Sequence, residues 1–159
     1  ILALMNECYM AENIYGYAPL EEQEMDDLAR RFLPILDPRF VKAIRKDGEV
    51  VAFIIAMPDM TEGIVRARGR LFPFGFFRVL RAARKTKQLD LLLGAVKERF
   101  RGQGLDVLMG IKVLIAAYEA GMEKIDTHHE MESNVKVRAE MEKMGGQVYK
   151  KFRAFYKML

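Results

Sequence analysis

The residues best suited to chemistry in this chain are the six of Arg99-Phe100-Arg101-Gly102-Gln103-Gly104. They lie between a continuous apolar run, Leu89 to Val96, and a segment from about Gln103 that reads as an apolar-striped helix. A helix start leaves about four backbone N–H groups without partners, all pointing the same way. With the positive end of the helix dipole they form a ready anion site. Gly102 and Gly104 let the backbone approach a phosphate without an intervening Cβ, and Arg99 and Arg101 can add charge-assisted bonds. No Gly-Lys-Ser/Thr follows, so this is not a nucleotide P-loop, and the third glycine of the dinucleotide fingerprint is missing.

Several elements must hold that loop in place. Residues 2–12 read as a helix, and a second runs from about Leu20 to Leu33 with Glu21, Glu22 and Glu24 in its dipole-favoured first turn. Phe40 to Arg45 and Glu49 to Met57 are strand-like runs separated by Lys46-Asp47-Gly48, a hairpin signal. Residues 60–86 break this order with a short helix, an aromatic stretch and a basic helix. Leu89 to Val96 reads as a strand buried on both faces. In the helix that follows, Val107, Leu108, Ile111, Leu114, Ile115, Tyr118 and Met122 trace an apolar stripe up to a stop at Gly121. Lys124 to His129 is a short strand. Ser133 or Asn134 caps a last helix ending at Gly145-Gly146, and Gln147 to Leu159 closes the chain as one or two strands. The expected fold is α/β (α+β), a mixed, mostly antiparallel sheet flanked by helices, with a helical insertion at about 60–86 and a single domain over 1–159.

Arg99-x-x-Gly102-x-Gly104 resembles the acetyl-CoA pyrophosphate signature of the GNAT acyltransferases. The order that follows is similar too: long helix, short strand, Met131-Glu132-Ser133-Asn134, a helix to Gly145-Gly146, then Tyr149-Lys150-Lys151-Phe152-Arg153-Ala154-Phe155-Tyr156. The match covers about residues 89–156. Residues 1–86 resemble a less-studied bacterial branch, mainly through Leu71-Phe72-Pro73-Phe74-Gly75-Phe76 and the Tyr15-Gly16-Tyr17 region. The resemblance implies acetyl-CoA or another acyl-CoA as co-substrate, and a small-molecule or peptide amine as acceptor. It implies that the backbone of Ala95 and Val96 bonds the pantetheine arm and polarises the thioester carbonyl. Arg101, Gly102, Gln103, Gly104 and Leu105 would give amides to the pyrophosphate, and Asn134 would hold the pantetheine from the opposite side. The tyrosine that often protonates the leaving thiolate in this family is absent, because Met141 stands near its position and a thioether has no proton to give. Glu132 and Tyr156 are the candidate catalytic residues beside His128 and His129, whose adjacency on a strand turns them to opposite faces. The competing reading is a non-catalytic CoA-binding or structural module of a larger protein.

Composition narrows the remaining classes. With 51% hydrophobic and 30% charged residues, the chain is not of the disordered type. No apolar run approaches the roughly 20 residues a membrane-spanning helix needs, so neither a span nor a membrane partner is expected. Cys8 is the only cysteine, which excludes an internal disulfide and a thiolate zinc site and points to a reducing, cytoplasmic setting. No metal is expected. The net charge of +4 suits an anionic ligand. The chain starts at Ile1, which suggests the C-terminal part of a longer protein with an upstream domain as partner. Arg78, Arg81, Arg84, Lys85 and Lys87 form a basic face at helical spacing, read as solvated rather than nucleic-acid-binding. Phe72, Phe74, Phe76 and Phe77 either line an acyl or acceptor pocket or form a local core. On the first reading the insertion folds over the acceptor side of the cleft.

Overall fold

Asp47 and Gly48 take positive φ angles of 49° and 84° and build the tight turn between strands β1 (Val41–Lys46) and β2 (Glu49–Pro58). The Asp-Gly signal is therefore a hairpin in the computed structural model, which describes residues 1–12, 17–70, 72–127 and 129–158. Tyr15, Gly16, Leu71 and His128, which figured in the sequence reading, lie outside the described residues. Strand β3 (Gln88–Val96) pairs antiparallel with β2, and β4 (Lys124–Asp126) pairs parallel with β3, giving the order β1-β2-β3-β4. The helices are α1 (Leu2–Ala11), α2 (Glu22–Phe32), α3 (Thr61–Arg66), α4 (Gly75–Lys85), α5 (Leu105–Glu119) and α6 (Val135–Lys143). The chain divides into two compact units, 1–128 and 129–159.

In the first unit the sheet is covered on both faces. Leu4, Met5 and Cys8 of α1 pack with Phe53 and Ile55 of β2 on one side. Val113 and Ala117 of α5 pack with Phe40, Ala56 and Leu89 on the other. Strand β2 is accordingly apolar at successive positions rather than alternating.

Strand β3 behaves differently. Its register with β2 shifts between Ile55↔Leu93 and Ala56↔Leu91, so Leu92 is an extra residue, a β-bulge. The bulge changes which face each residue serves. Leu89 and Leu91 join the α5 core, whereas Leu93 and Ala95 join the α1 core. Leu92 and Gly94 are exposed, so the expectation of a strand buried on both faces along its length is corrected. The cause is that β4 pairs only with Gln88, Leu89 and Asp90, which leaves that edge of β3 uncovered beyond Asp90 among the described residues.

Two more expectations change. In α5 the buried positions are Met109, Val113 and Ala117, not the stripe through Val107, Leu108, Ile111, Leu114, Ile115 and Tyr118, which is exposed. A helix apolar all round gives periodicity no contrast to choose by, and small residues such as Ala117 allow the close approach to the sheet. At the end of the chain, β4 stops at Asp126 and residues 147–158 contain no strand. No ladder pairs that segment, and Phe155 and Tyr156 are exposed.

The insertion is helical, as expected. Helices α3 and α4 pack on each other as a hairpin. A Cβ on Gly63 would meet the Val79 Cα at 2.6 Å, and one on Gly75 would meet the Arg70 carbonyl oxygen at 1.8 Å, so both contacts require glycine. The hairpin leaves the sheet at Pro58 and returns at Gln88. Ala95 and Val96 lie at the other end of β3, about 25 Å away at roughly 3.3 Å per residue. The helical hairpin packs mainly on itself instead of over that end of the strand, which removes the support for a lid.

Candidate active site

The loop after β3 is built from short-range constraints. Lys97 leads into a single 3-10 turn, Glu98–Phe100, and Arg101 returns to extended backbone. Gly102 and Gly104 then take φ angles of 71° and 76°, in the left-handed region that glycine adopts without strain. Open space surrounds both α-carbons on the side where a Cβ would stand. Gly104 is the N-cap of α5, and having no side chain it caps nothing. Among the described residues no acceptor bonds the N–H groups of Gly102, Gln103 or Gly104, or those of Leu105, Asp106 and Val107 in the first turn of α5. These amides sit at the positive end of a 15-residue helix.

The two arginines are engaged elsewhere. Arg101 donates from Nε to the Val96 carbonyl at 2.9 Å and pairs with Glu12 of the α1 C-terminus at 2.7 Å. Arg99 pairs with Glu49 at 2.6 Å, and its guanidinium lies 4.9 Å from the Phe100 ring centre. Lys97 bonds Glu49 as well and lies 3.2 Å from Glu7. The Glu49 bond, ahead of Glu7, holds the Lys97 ammonium above its usual range, and Lys97 in turn lowers the Glu49 carboxyl. The loop is thus tied to α1 and to the β1–β2 turn, with its amides left open. Gln103 closes the inside by donating to the Arg99 carbonyl at 3.1 Å.

The free edge of β3 adds a second set of polar groups. The Lys97 N–H donates to the Val51 carbonyl at 2.9 Å, so at that position the strand faces β2. By strand alternation Ala95 also faces β2, while the N–H and C=O of Gly94 and Val96 face the uncovered edge. Two contacts agree with this: Tyr9 Oη donates to the Gly94 carbonyl at 3.3 Å, and Cys8 Sγ to the Val96 carbonyl at 3.6 Å. Gly94, not Ala95, therefore shares the open edge with Val96. Burial pushes the Cys8 thiol up, against the lowering effect of Arg101. Sequence reading passed over Gly94, Tyr9 and the bulge at Leu92. The signal was a glycine inside an apolar strand, which marks a bulge or a close backbone approach.

The second unit holds the remaining candidates. Asn134 caps α6, its Oδ1 accepting from the Val137 N–H at 3.5 Å, and its Nδ2 donates to Glu130 at 3.3 Å. Glu130 is exposed as a residue, yet partial desolvation of its carboxyl raises it above its usual range, and the Asn134 bond only partly offsets this. Glu132 is exposed, with its carboxylate 3.8 Å from Lys151 and its carbonyl accepting from Arg138 at 3.1 Å. Tyr156 is 93% exposed. His129 meets Phe152 edge to face at 4.5 Å. Among the described residues no group of three or more His, Cys, Asp or Glu could hold a metal ion.

No family model matches the chain. The chain is 28% identical over 151 residues to a bacterial ceramide synthase of Caulobacter vibrioides, covering 91% of this chain and 39% of that protein. It thus spans about two fifths of the length of the curated relatives it matches. Among solved structures, a possible acetyltransferase from Clostridium difficile 630 superposes with a TM-score of 0.59 at 15% identity, covering 99% of this chain and 91% of that one. The aminoglycoside acetyltransferase AAC(6')-Iy, in complex with a CoA-containing bisubstrate analog, superposes with a TM-score of 0.57 at 14% identity, covering 99% and 92%. The four-stranded mixed sheet flanked by helices accordingly matches one architecture: the chain has the fold of the GNAT acetyltransferases.

Proposed function

We propose that this chain is an acyl-CoA-dependent N-acyltransferase that transfers an acyl group to an amine. The observation that carries the reading is the uncapped start of α5, where Gly102 to Val107 leave six successive amides open beside two left-handed glycines. That arrangement suits a pyrophosphate, which would be held by backbone donors while Arg99 and Arg101 hold the loop. The free edge of β3 suits an amide-bearing arm, and the Gly94 and Val96 N–H groups are donors for that arm or for a developing oxyanion. In the second unit Asn134 is the proposed further contact to the pantetheine.

The amine must lose a proton before or as it attacks the thioester carbon. Glu132 and Tyr156 stay as the proposed base and acid. Glu130 joins them as a carboxyl raised by partial desolvation and therefore closer to the range in which a base works at neutral pH. The acyl group and acceptor take their class from the relative named a ceramide synthase, since a ceramide is an amide of a long-chain amine. A long acyl chain and a lipid-like amine are therefore proposed ahead of acetyl transfer to a soluble amine.

The test is calorimetry with acetyl-CoA and with hexadecanoyl-CoA, followed by detection of free thiol when a long-chain amine is added. Saturable binding with thiol release supports the proposal. Binding without turnover of any amine leaves a CoA-binding module, and no binding of either thioester overturns the reading.

A further inference from the structure

The positive charge of this chain is concentrated in one place. Residues 60–87 hold eight Lys and Arg against the single acid Glu62, a net +7, so the rest of a chain of net +4 carries −3. Glu62 itself pairs with Arg66. Among the described residues no acid pairs with Arg68, Arg70, Arg81, Arg84 or Lys85, and all five are exposed.

The same hairpin exposes its apolar side chains. Phe72 is 91% exposed, Phe74 68% and Phe77 66%, and Phe76, Ile64 and Val65 are also exposed. Glycines set this arrangement: with Gly63 and Gly75 at the contact, α3 and α4 pack backbone to backbone through Val79 and Ala82, which turns the large residues outward. Phe72, Pro73 and Phe74 occupy the connection between the helices, and Phe77 sits one turn into α4 among Leu80, Arg81 and Arg84. The result is an aromatic tip with a collar of arginines.

We propose that the α3–α4 hairpin docks on an anionic lipid surface, its phenylalanines entering the boundary between headgroups and acyl chains and its arginines bonding lipid phosphates. Charge complementarity selects this occupant. A second copy of the chain would set +7 against +7, and an acidic protein partner leaves a flat aromatic tip without a purpose. Single-stranded RNA would use the arginines and aromatic rings, but gains nothing from Ile64 and Val65. A bilayer takes up all of them, in the manner of interfacial amphipathic helices. Docking needs no span, and no helix of the described residues is long and apolar enough to cross a membrane. At this surface the proposal departs from the expectation of no membrane partner. The inference stands apart from acyl transfer, since it requires neither CoA nor turnover.

The chain contains no tryptophan, so Phe77→Trp introduces a single reporter at an exposed position. In the full chain with this substitution, vesicles of phosphatidylcholine with one quarter phosphatidylglycerol should shift the emission to the blue, and pure phosphatidylcholine should not. Cosedimentation of the parent chain should weaken about thirtyfold in Arg81→Ala/Arg84→Ala. It should weaken at least tenfold in Phe72→Ser/Phe74→Ser, which leaves the charge unchanged. Absence of binding to anionic vesicles overturns the proposal, as does binding that ignores the phenylalanine changes, which is charge attraction alone. Tighter binding to oligo-uridine than to anionic vesicles assigns the hairpin to nucleic acid and overturns it too.

Discussion

Two helix starts in the first unit are built in opposite ways. Helix α2 opens with a capping box: the Glu21 side chain accepts from the backbone of Glu24, and the Glu24 carboxylate accepts from the Glu21 N–H at 2.9 Å. Helix α5 opens on Gly104, which has no side chain, and its first amides find no partner among the described residues. A longer, more buried helix would gain at least as much from a cap, worth typically about 1 kcal/mol. The fold installs a cap at one start and forgoes it at the other, where the proposed pyrophosphate would use the amides. Orphaned donors are informative only against a neighbour that has been satisfied.

The sharpest way to break this contrast is Gly104→Val. A branched residue at φ 76° is strained, and its side chain would enter the open space beside the amides. Acyl-CoA affinity should fall at least a hundredfold by calorimetry; an unchanged affinity would remove the pyrophosphate from this loop. Glu21→Ala, at the satisfied start, should cost about 0.5–1 kcal/mol in urea unfolding and leave acyl-CoA affinity unaltered. Asn134→Ala should cost a similar amount as a lost cap, and should also weaken acyl-CoA binding several-fold if the side chain has its second, proposed use. Arg101→Ala should lower acyl-CoA affinity less than tenfold, because its side chain braces Val96 and Glu12. A larger loss would mean that the guanidinium leaves Glu12 to meet a phosphate.

The smallest effect expected is on the pH dependence of stability. Partial desolvation raises the Glu130 carboxyl in the folded chain, so the unfolded chain releases that proton first. The protonated form favours folding below the ordinary glutamate range, and this contribution fades as pH rises toward the raised value. Glu130→Gln should therefore flatten the urea midpoint across the pH range just above that of an ordinary glutamate. An unchanged profile would show that the carboxyl is solvated.

Much of the fold was legible because its signals are local. Asp47-Gly48 specified a turn, Pro58 ended a strand, and Ser133-Asn134 announced a cap, which Asn134 supplies. The loop at 99–104 was legible for the same reason, since two positive-φ glycines need only their own backbone. What failed depended on distant partners. The side of α5 that meets the sheet is chosen by how closely Ala117 can approach Phe40 and Leu89, which a stripe of large apolar residues does not report. Arg99 and Arg101 looked free for phosphate because Glu49 and Glu12 are 50 and 89 residues away in sequence. The desolvation that raises Glu130 leaves no trace in its neighbours along the chain.

The extra residue in β3 also bears on how this region tolerates change in length. Removing one residue from a strand ordinarily turns every later side chain to the wrong face. Here Leu92 is the residue the ladder does not count, so its deletion would join Leu91 directly to Leu93 and leave Leu93 and Ala95 facing α1, still opposite Ile55 and Phe53. A deletion between Leu93 and Val96 has no such slack, because Val96 must still meet Cys8 and Arg101. The strand therefore has a reading frame of its own. One leucine stands outside it, and the loop that begins at Lys97 keeps its register whether or not that leucine is counted.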